Sequence, residues 1–294
     1  MRKFVLRLFL FVSFVGIIAF SLFLIYVYPF MTAMKKVTTI KYDPQLTLVL
    51  GGGGNSGILV SDSAVLVIDT KMNEASDSLY KTVKALAGKK PIIVVNTHIH
   101  GDHTEGNKFY EDNTIIVGGN YEKHFWLKEC GKEAMPTVWL KDSMTFKMGD
   151  ETVTIINLHW NAHTQSDVFV YLHNRKMLFC GDVVLNHQAP AMFSQYKANG
   201  YGYLRAFEYL PQRFDINKVV PGHGEVGGIE VINNFKDFFT DMKLASLDNN
   251  RKKELLDKYK DWKQIPFVMS PRATEDFFED NKIAPNFTGL IINH

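Results

Sequence analysis

The sequence predicts an α/β domain built in layers and carried behind one apolar helix. Two observations predict it. Short apolar, β-branched runs recur in both halves of the chain, and some are followed by segments of helical periodicity. Ahead of them, residues 8–28 form an uncharged stretch dense in Phe, Leu, Ile and Val. The 294 residues, 46% of them hydrophobic, suffice for one large core. A formal net charge of +2 and the lack of a long basic stripe leave no electrostatic footprint for nucleic acid, so no such partner is expected.

Taken in order, Arg2, Lys3 and Arg7 precede the apolar stretch. As a helix it would span roughly 30 Å, the thickness of a bilayer's hydrocarbon. Tyr26, Tyr28 and Lys35-Lys36 then fall where an interfacial belt belongs. A cleaved signal peptide is the alternative, but the stretch exceeds the roughly 7–15 residues usual for such a core. Met31 and Met34 also flank Ala33, the small residue nearest a cleavage site. Residues 1–41 therefore read as a single-pass membrane anchor with its linker, and residues 42–294 as the globular unit with a helical C-terminal tail. A short basic N-terminus ordinarily stays in the cytoplasm, which would put the remainder outside. Secretion after cleavage is the alternative location.

Residues 42–70 read as a meander with strands at 46–50, 57–60 and 65–69. The loop Gly51-Gly-Gly-Gly-Asn55 joins strand to strand, with no Lys-Ser/Thr and no helix behind it. It is expected to floor or rim a site rather than cradle phosphate. Ala75, Leu79, Val83 and Leu86 at helical spacing predict a helix over 74–87, closed by Gly88. Buried strands are expected at 91–96 and 114–117, then a helix over 121–130. Strands follow at 144–146, 151–158, 168–172 and 176–180, a helix over 203–210, a short strand at 218–220 and a charged, mainly helical tail over 229–280. Cys180 lies in an apolar strand as a small core residue, and Cys130 has no evident partner.

The segment 96–107 reads N-T-H-I-H-G-D-H-T-E-G-N, with His98, His100, Asp102 and His103 inside six residues. A surface loop explains a lone histidine, not three beside a carboxylate at a strand end. Alternation sends His98 and His100 the same way, and Gly101 lets the chain turn so that Asp102 and His103 aim at a neighbouring point. One loop thus offers ligands for two adjacent metals. His163, Asp182 and His223 also stand at strand ends. Singly each would read as structural. Together with the loop they make five histidines and two carboxylates, a set suited to two zinc ions of four- to five-fold coordination.

On these residues the chain resembles the metallo-β-lactamase superfamily, over about residues 42–228. The H-x-H-x-D-H signature at 98–103, the later His163, Gly181-Asp182 after an apolar strand, and Pro221-Gly-His-Gly224 occur in the family's order. The resemblance implies a four-layer αββα sandwich, behind the N-terminal transmembrane helix, with a dinuclear site at the edge between its sheets. It implies that His98, His100 and His163 bind one metal, that Asp102, His103 and His223 bind the second, and that Asp182 bridges them. Asp69 would support a ligating histidine from behind. The implied cofactor is two Zn²⁺ per chain, with iron or manganese possible. The implied reaction is attack by a metal-bridging hydroxide on an ester, thioester, lactone, amide or phosphoester bond of a small molecule, with Asp102 as the catalytic carboxylate.

Departures from the pattern narrow the branch. In β-lactamases with a cysteine ligand, that cysteine aligns with Asp182, and Cys180 falls two places early. The bridging carboxylate is instead similar to glyoxalase II, lactonase, phosphodiesterase and quinoprotein-relay branches, and G-D-V-V-L-N with its aromatic sequel looks most like the last. The lactonase H-T-P-G-H is absent, since Thr164 is followed by Gln165-Ser166-Asp167. About forty residues between Asp182 and His223 leave no room for a β-CASP insertion. The rival readings are a β-lactamase proper, an iron-dependent dioxygenase of the same fold, and a membrane-attached metal-binding protein without turnover. Substrate selection is expected between Asp182 and His223. Met192, Phe193, Tyr196, Tyr201 and Tyr203 are candidate pocket walls, Lys197 and Arg205 candidate anion holders, and Phe207, Tyr209 and Leu210 core.

Overall fold

Alternation within single strands explains how the protein layers itself. The computed structural model describes residues 2–29, 32, 36–110, 114–121, 123–265 and 268–280, so the expected signals at Met31, Ala33, Met34 and Lys35 lie outside the described residues. Strands β1 (Val37–Lys41), β2 (Leu46–Gly51), β3 (Ser56–Val60), β4 (Val65–Ile68), β5 (Ile92–Val95), β6 (Ile115–Gly119) and β7 (Val138–Leu140) form one sheet in that order. Its first half is antiparallel, and the pairs from β4 to β7 are parallel. The second sheet runs β12-β11-β10-β9-β8, from β8 (Ser143–Met148), β9 (Glu151–Asn157), β10 (Val168–Leu172), β11 (Met177–Phe179) and β12 (Lys218–Val220). Only its β11–β12 pair is parallel.

In β4, Leu66 and Ile68 point between the sheets, while Val65 and Val67 point outward. In β10, Val168, Val170 and Leu172 point between the sheets, and Phe169 and Tyr171 point to the other side. The inner core is therefore apolar side chains from both sheets, Leu48 and Val95 against Val153 and Phe179. Helices cover the outer faces. After α1 (Arg2–Leu22), helix α2 (Asn73–Ala87) lays Leu79, Val83 and Ala87 on Ile58, Val67 and Val94. One-turn α3 (Gly101–Thr104) and α4 (Lys123–Cys130) follow. On the second sheet, α5 (Gly200–Arg213) and α6 (Glu230–Leu247) lay Ala206, Phe207, Phe235 and Phe239 on Phe169 and Leu178. Helices α7 (Asn249–Asp257) and α8 (Pro271–Asp280) close the chain's described part.

Three elements differ from expectation. The first sheet begins at Val37 rather than within the meander from residue 42, because β1 pairs with β2 from Val37↔Gly51 to Lys41↔Thr47. All five of its side chains are exposed, so no apolar pattern marks it. β7 is three residues long and carries no strand signature of its own. Helix α5 starts at Gly200 and runs past Pro211 to Arg213, where the sequence suggests 203–210. A proline near the C-terminal end removes one backbone bond without ending the last turn. The segment Phe4–Val27 is helical and none of it is buried, and by length and composition it is long and apolar enough to cross a membrane. A signal sequence would look the same.

Candidate metal centre

The site assembles where β4, β5, β11 and β12 end. β4 stops at Ile68, and Asp69 takes a left-handed φ of 56°. Its carboxylate accepts from the Thr97 amide through Oδ1 and from the Thr97 hydroxyl through Oδ2, both at 2.7 Å. His103 Nδ1–H donates to the same Oδ2 at 2.7 Å, which leaves His103 Nε2 free to face the opposite way. β5 delivers His98, and Gly101 opens α3, which carries Asp102 and His103. Asn96 and Asn107 bond to each other side by side and stiffen this loop from below.

The glycine-rich loop is a floor. A Cβ on Gly54 would sit 2.2 Å from the His103 ring, so backbone must pass there bare. Gly222 is under the same constraint, 2.0 Å from Asp182 Oδ1. Asn55 ties the floor to the His223 turn, donating through Nδ2 to the carbonyls of Pro221 and Gly224 at 2.9 Å each. Beneath lies Lys71, fully buried, whose Nζ donates to the carbonyls of Val49, Gly51 and Gly54 at 2.8, 2.6 and 2.8 Å. Burial pushes its pKa down to about 7, against the pull of Asp69 and Asp102. Three acceptors around one amine match the three N–H of an ammonium. His163 hangs on the loop before β10, where Asp167 accepts from the amides of His163 and Thr164 and from the Thr164 hydroxyl.

All seven expected ligands come together. His98, His100 and His163 form one group, His98, His103 and Asp182 a second, and Asp102, His103 and His223 a third, each with its ligand atoms within 4.8 Å of one another. Asp182 faces both ends. Its Oδ2 is 3.6 Å from His163 Nε2, and its Oδ1 is 3.1 Å from His103 Nε2 and 3.5 Å from His223 Nε2. Asp102 Oδ2 lies 3.0 Å from His223 Nε2. The set fits metal ions. His98 Nε2, His103 Nε2 and Asp182 Oδ1 are buried with no aligned hydrogen-bond partner among the described residues. Several such atoms at one point would be costly unless a cation takes their lone pairs.

Electrostatics divides the site in two. Burial pushes His98 and His100 below the usual imidazole range and His163 down to about 3, so these rings are neutral. For His103 and His223 burial pulls the same way but loses to the carboxylates. Asp102, Asp69 and Asp182 raise His103, and Asp182 and Asp102 raise His223 to about 9. Burial would raise Asp102 and Asp182, but the His103 and His223 charges hold both below the usual carboxylate range. Loading a metal on the second group therefore releases protons.

A cavity of about 410 Å³ opens beside His100, Asp102, Asp182 and His223. Met72, Leu185, Phe193 and Met269 give it apolar walls, with Tyr196, Glu129, Gln188 and Gln195 among its polar groups. Tyr196 donates to Glu129 and sets its ring against His100, centroids 4.8 Å apart. Phe193 and Tyr196 thus stand where pocket walls were expected. Met192 and Tyr201 instead pack on the helical core, and Tyr203 is fully buried behind His163, because α5 turns that face inward. Arg205 lies over the Trp160 ring at 4.0 Å, and neither it nor Lys197 lines the cavity. Lys71, Asp167 and the contacts of Tyr203 had no signal in the sequence, since their partners are main-chain carbonyls and amides, the Thr164 hydroxyl and one ring nitrogen.

Comparison with known proteins agrees with this geometry. A family profile described as "Metallo-beta-lactamase superfamily" matches residues 49–223. The acyl-coenzyme A thioesterase MBLAC2 of Homo sapiens is 25% identical over 216 residues, covering 61% of this chain and 76% of that protein. A metallo-beta-lactamase type 2 of Bacteroides fragilis is 24% identical over 184 residues, covering 62% and 73%. Among solved structures, a metallo-beta-lactamase from Pontibacter korlensis superposes with a TM-score of 0.61 at 22% identity, covering 70% of this chain and 99% of that one.

Proposed function

We infer the reaction from one premise: this chain belongs to the metallo-β-lactamase superfamily and is a metal-dependent hydrolase. The ions would be two zincs: His98, His100 and His163 would hold one, Asp102, His103 and His223 the other, and Asp182 stands within reach of both groups. When bound, zinc supplies a Lewis acid and lowers the pKa of water from about 15.7 to about 7. The chain's own contribution is placement. Asp102 borders the cavity and accepts the proton or hydrogen bond of a water entering it. Asp69 holds the His103 ring, and Asp167 holds the backbone that carries His163.

The substrate is a small acyl ester or thioester with an apolar acyl group, held against Met72, Leu185, Phe193 and Met269. Support comes from the wall chemistry and from the thioesterase relative. A β-lactamase proper is the second reading, favoured by the Bacteroides fragilis relative. Against it, no Lys or Arg lines the cavity among the described residues, and Glu129 does, so a substrate carboxylate meets no cation but the metals. The first helix serves as the membrane anchor, with the globular unit outside.

The observation that carries this function is the convergence of seven ligand side chains at the mouth of one cavity. Purified protein is expected to hold two zincs per chain and to hydrolyse neutral acyl thioesters or esters faster than nitrocefin. Asp102→Ala should lower kcat by about a hundredfold or more while the circular dichroism spectrum is kept. Nitrocefin as the best substrate would transfer the assignment to β-lactamase. Oxygen uptake by iron-loaded protein without hydrolysis would transfer it to a dioxygenase.

A further inference from the structure

We propose that Tyr203 is a positioning residue that couples the two halves of the metal centre, setting the tautomer of His163 and fixing the backbone of Asp182. Its hydroxyl oxygen lies 2.8 Å from His163 Nδ1 and 3.3 Å from the main-chain carbonyl of Asp182. The residue is fully buried. A phenol has one proton to give, and a carbonyl can only accept. The hydroxyl proton therefore goes to Asp182, and the oxygen accepts from His163. That places the ring proton on Nδ1 and the lone pair on Nε2, the atom 2.9 Å from His100 Nδ1 and 3.6 Å from Asp182 Oδ2. The opposite polarity would leave the Asp182 carbonyl without this donor and aim a proton into the ligand cluster.

The hydroxyl has no freedom to wander. Tyr203 stacks on Phe239 with centroids 4.1 Å apart. The start of α5 is jammed against the His163 loop: a Cβ on Gly202 would meet the Asn161 carbonyl at 1.6 Å. Asn199 caps Gly202 N at 3.0 Å, and Trp160 Nε1 donates to the Gly202 carbonyl at 3.0 Å. Helix α5 thus presents one phenol to a histidine of one ligand group and to the residue shared with the other. The proposal rests on the zinc reading above.

The test is zinc affinity, measured by competition with a chromophoric chelator, and the zinc content after dialysis. Wild type should hold two ions. Tyr203→Phe keeps the ring and removes the oxygen; it should weaken one of the two ions by about 10–100-fold, so that one is lost on dialysis. Phe239→Leu is the packing control, which should lower the unfolding midpoint of the metal-free protein and leave both affinities within about twofold. Two ions held by Tyr203→Phe as tightly as by wild type would overturn the proposal. So would an equal loss in Phe239→Leu, which would reduce Tyr203 to packing. Wild type that takes up no zinc at all would instead overturn the zinc reading, and this proposal with it.

Discussion

Lys71 shows how much of this site depends on a residue that touches no ligand. An ammonium buried with three carbonyls holds Val49, Gly51 and Gly54 in one curve, and Gly54 in turn presses on the His103 ring. Lys71→Met keeps the length and removes all three donors. It should cost about 2–3 kcal/mol in urea unfolding, because buried carbonyls are left unpaired. Zinc affinity should fall with it, since the floor under His103 loosens. Unchanged stability in that variant would mean that water replaces the amine, and that the floor stands without it. Asp69 is the counterpart that could be seen from the sequence, because the family resemblance implies a supporting carboxylate at the end of that apolar strand. A lysine two residues later is not.

Between elements, one arginine joins the two sheets. Arg175, in the β10–β11 turn, reaches Asp43 between β1 and β2 at 2.7 Å and Glu151 at the start of β9 at 2.5 Å. Burial would raise the Asp43 pKa, but Arg175 and the amides of Gln45 and Leu46 together lower it from 3.8. A carboxylate lowered by folding stabilises the protein above its unfolded pKa, and the stabilisation is lost as pH falls through its folded one. Asp43→Asn should therefore lower the thermal midpoint at pH 7, and the gap from wild type should close below pH ~3. A gap that persists at low pH would assign the clamp to shape rather than charge. The sequence showed the strands that this clamp joins but not the clamp, in which Asp43 lies 132 residues from Arg175.

For the molecule as a whole, the boundary between the apolar helix and the layered unit is a physical question about β1. Its five residues pair with β2 and fall inside the stretch that hydropathy assigns to anchor and linker. A chain lacking residues 1–36 should leave the membrane fraction, keep its zinc and unfold at the same urea concentration as full-length protein. A chain lacking residues 1–41 should unfold at a lower concentration, since β2 then becomes an unpaired edge. Equal midpoints for the two would show that β1 adds nothing to the sheet's stability.

Local chemistry was decided along the chain. Side-chain alternation sends successive residues of β4 or β10 to opposite layers, hydropathy over residues 8–28 makes a membrane-length helix, and the identity and spacing of His98, His100, Asp102 and His103 make a metal loop; each depends only on neighbours in sequence. Convergence was decided in three dimensions. Asp182 and His223 gather at that loop because β11 and β12 run parallel beside each other and end at one edge, and His163 because β10, antiparallel to β11, begins there. Whether an aromatic such as Phe193 or Tyr203 walls the pocket or braces a ligand depends on which way α5 and its preceding loop turn. The contacts that settle this run to carbonyls and ring nitrogens tens of residues away, and no residue type or spacing encodes them.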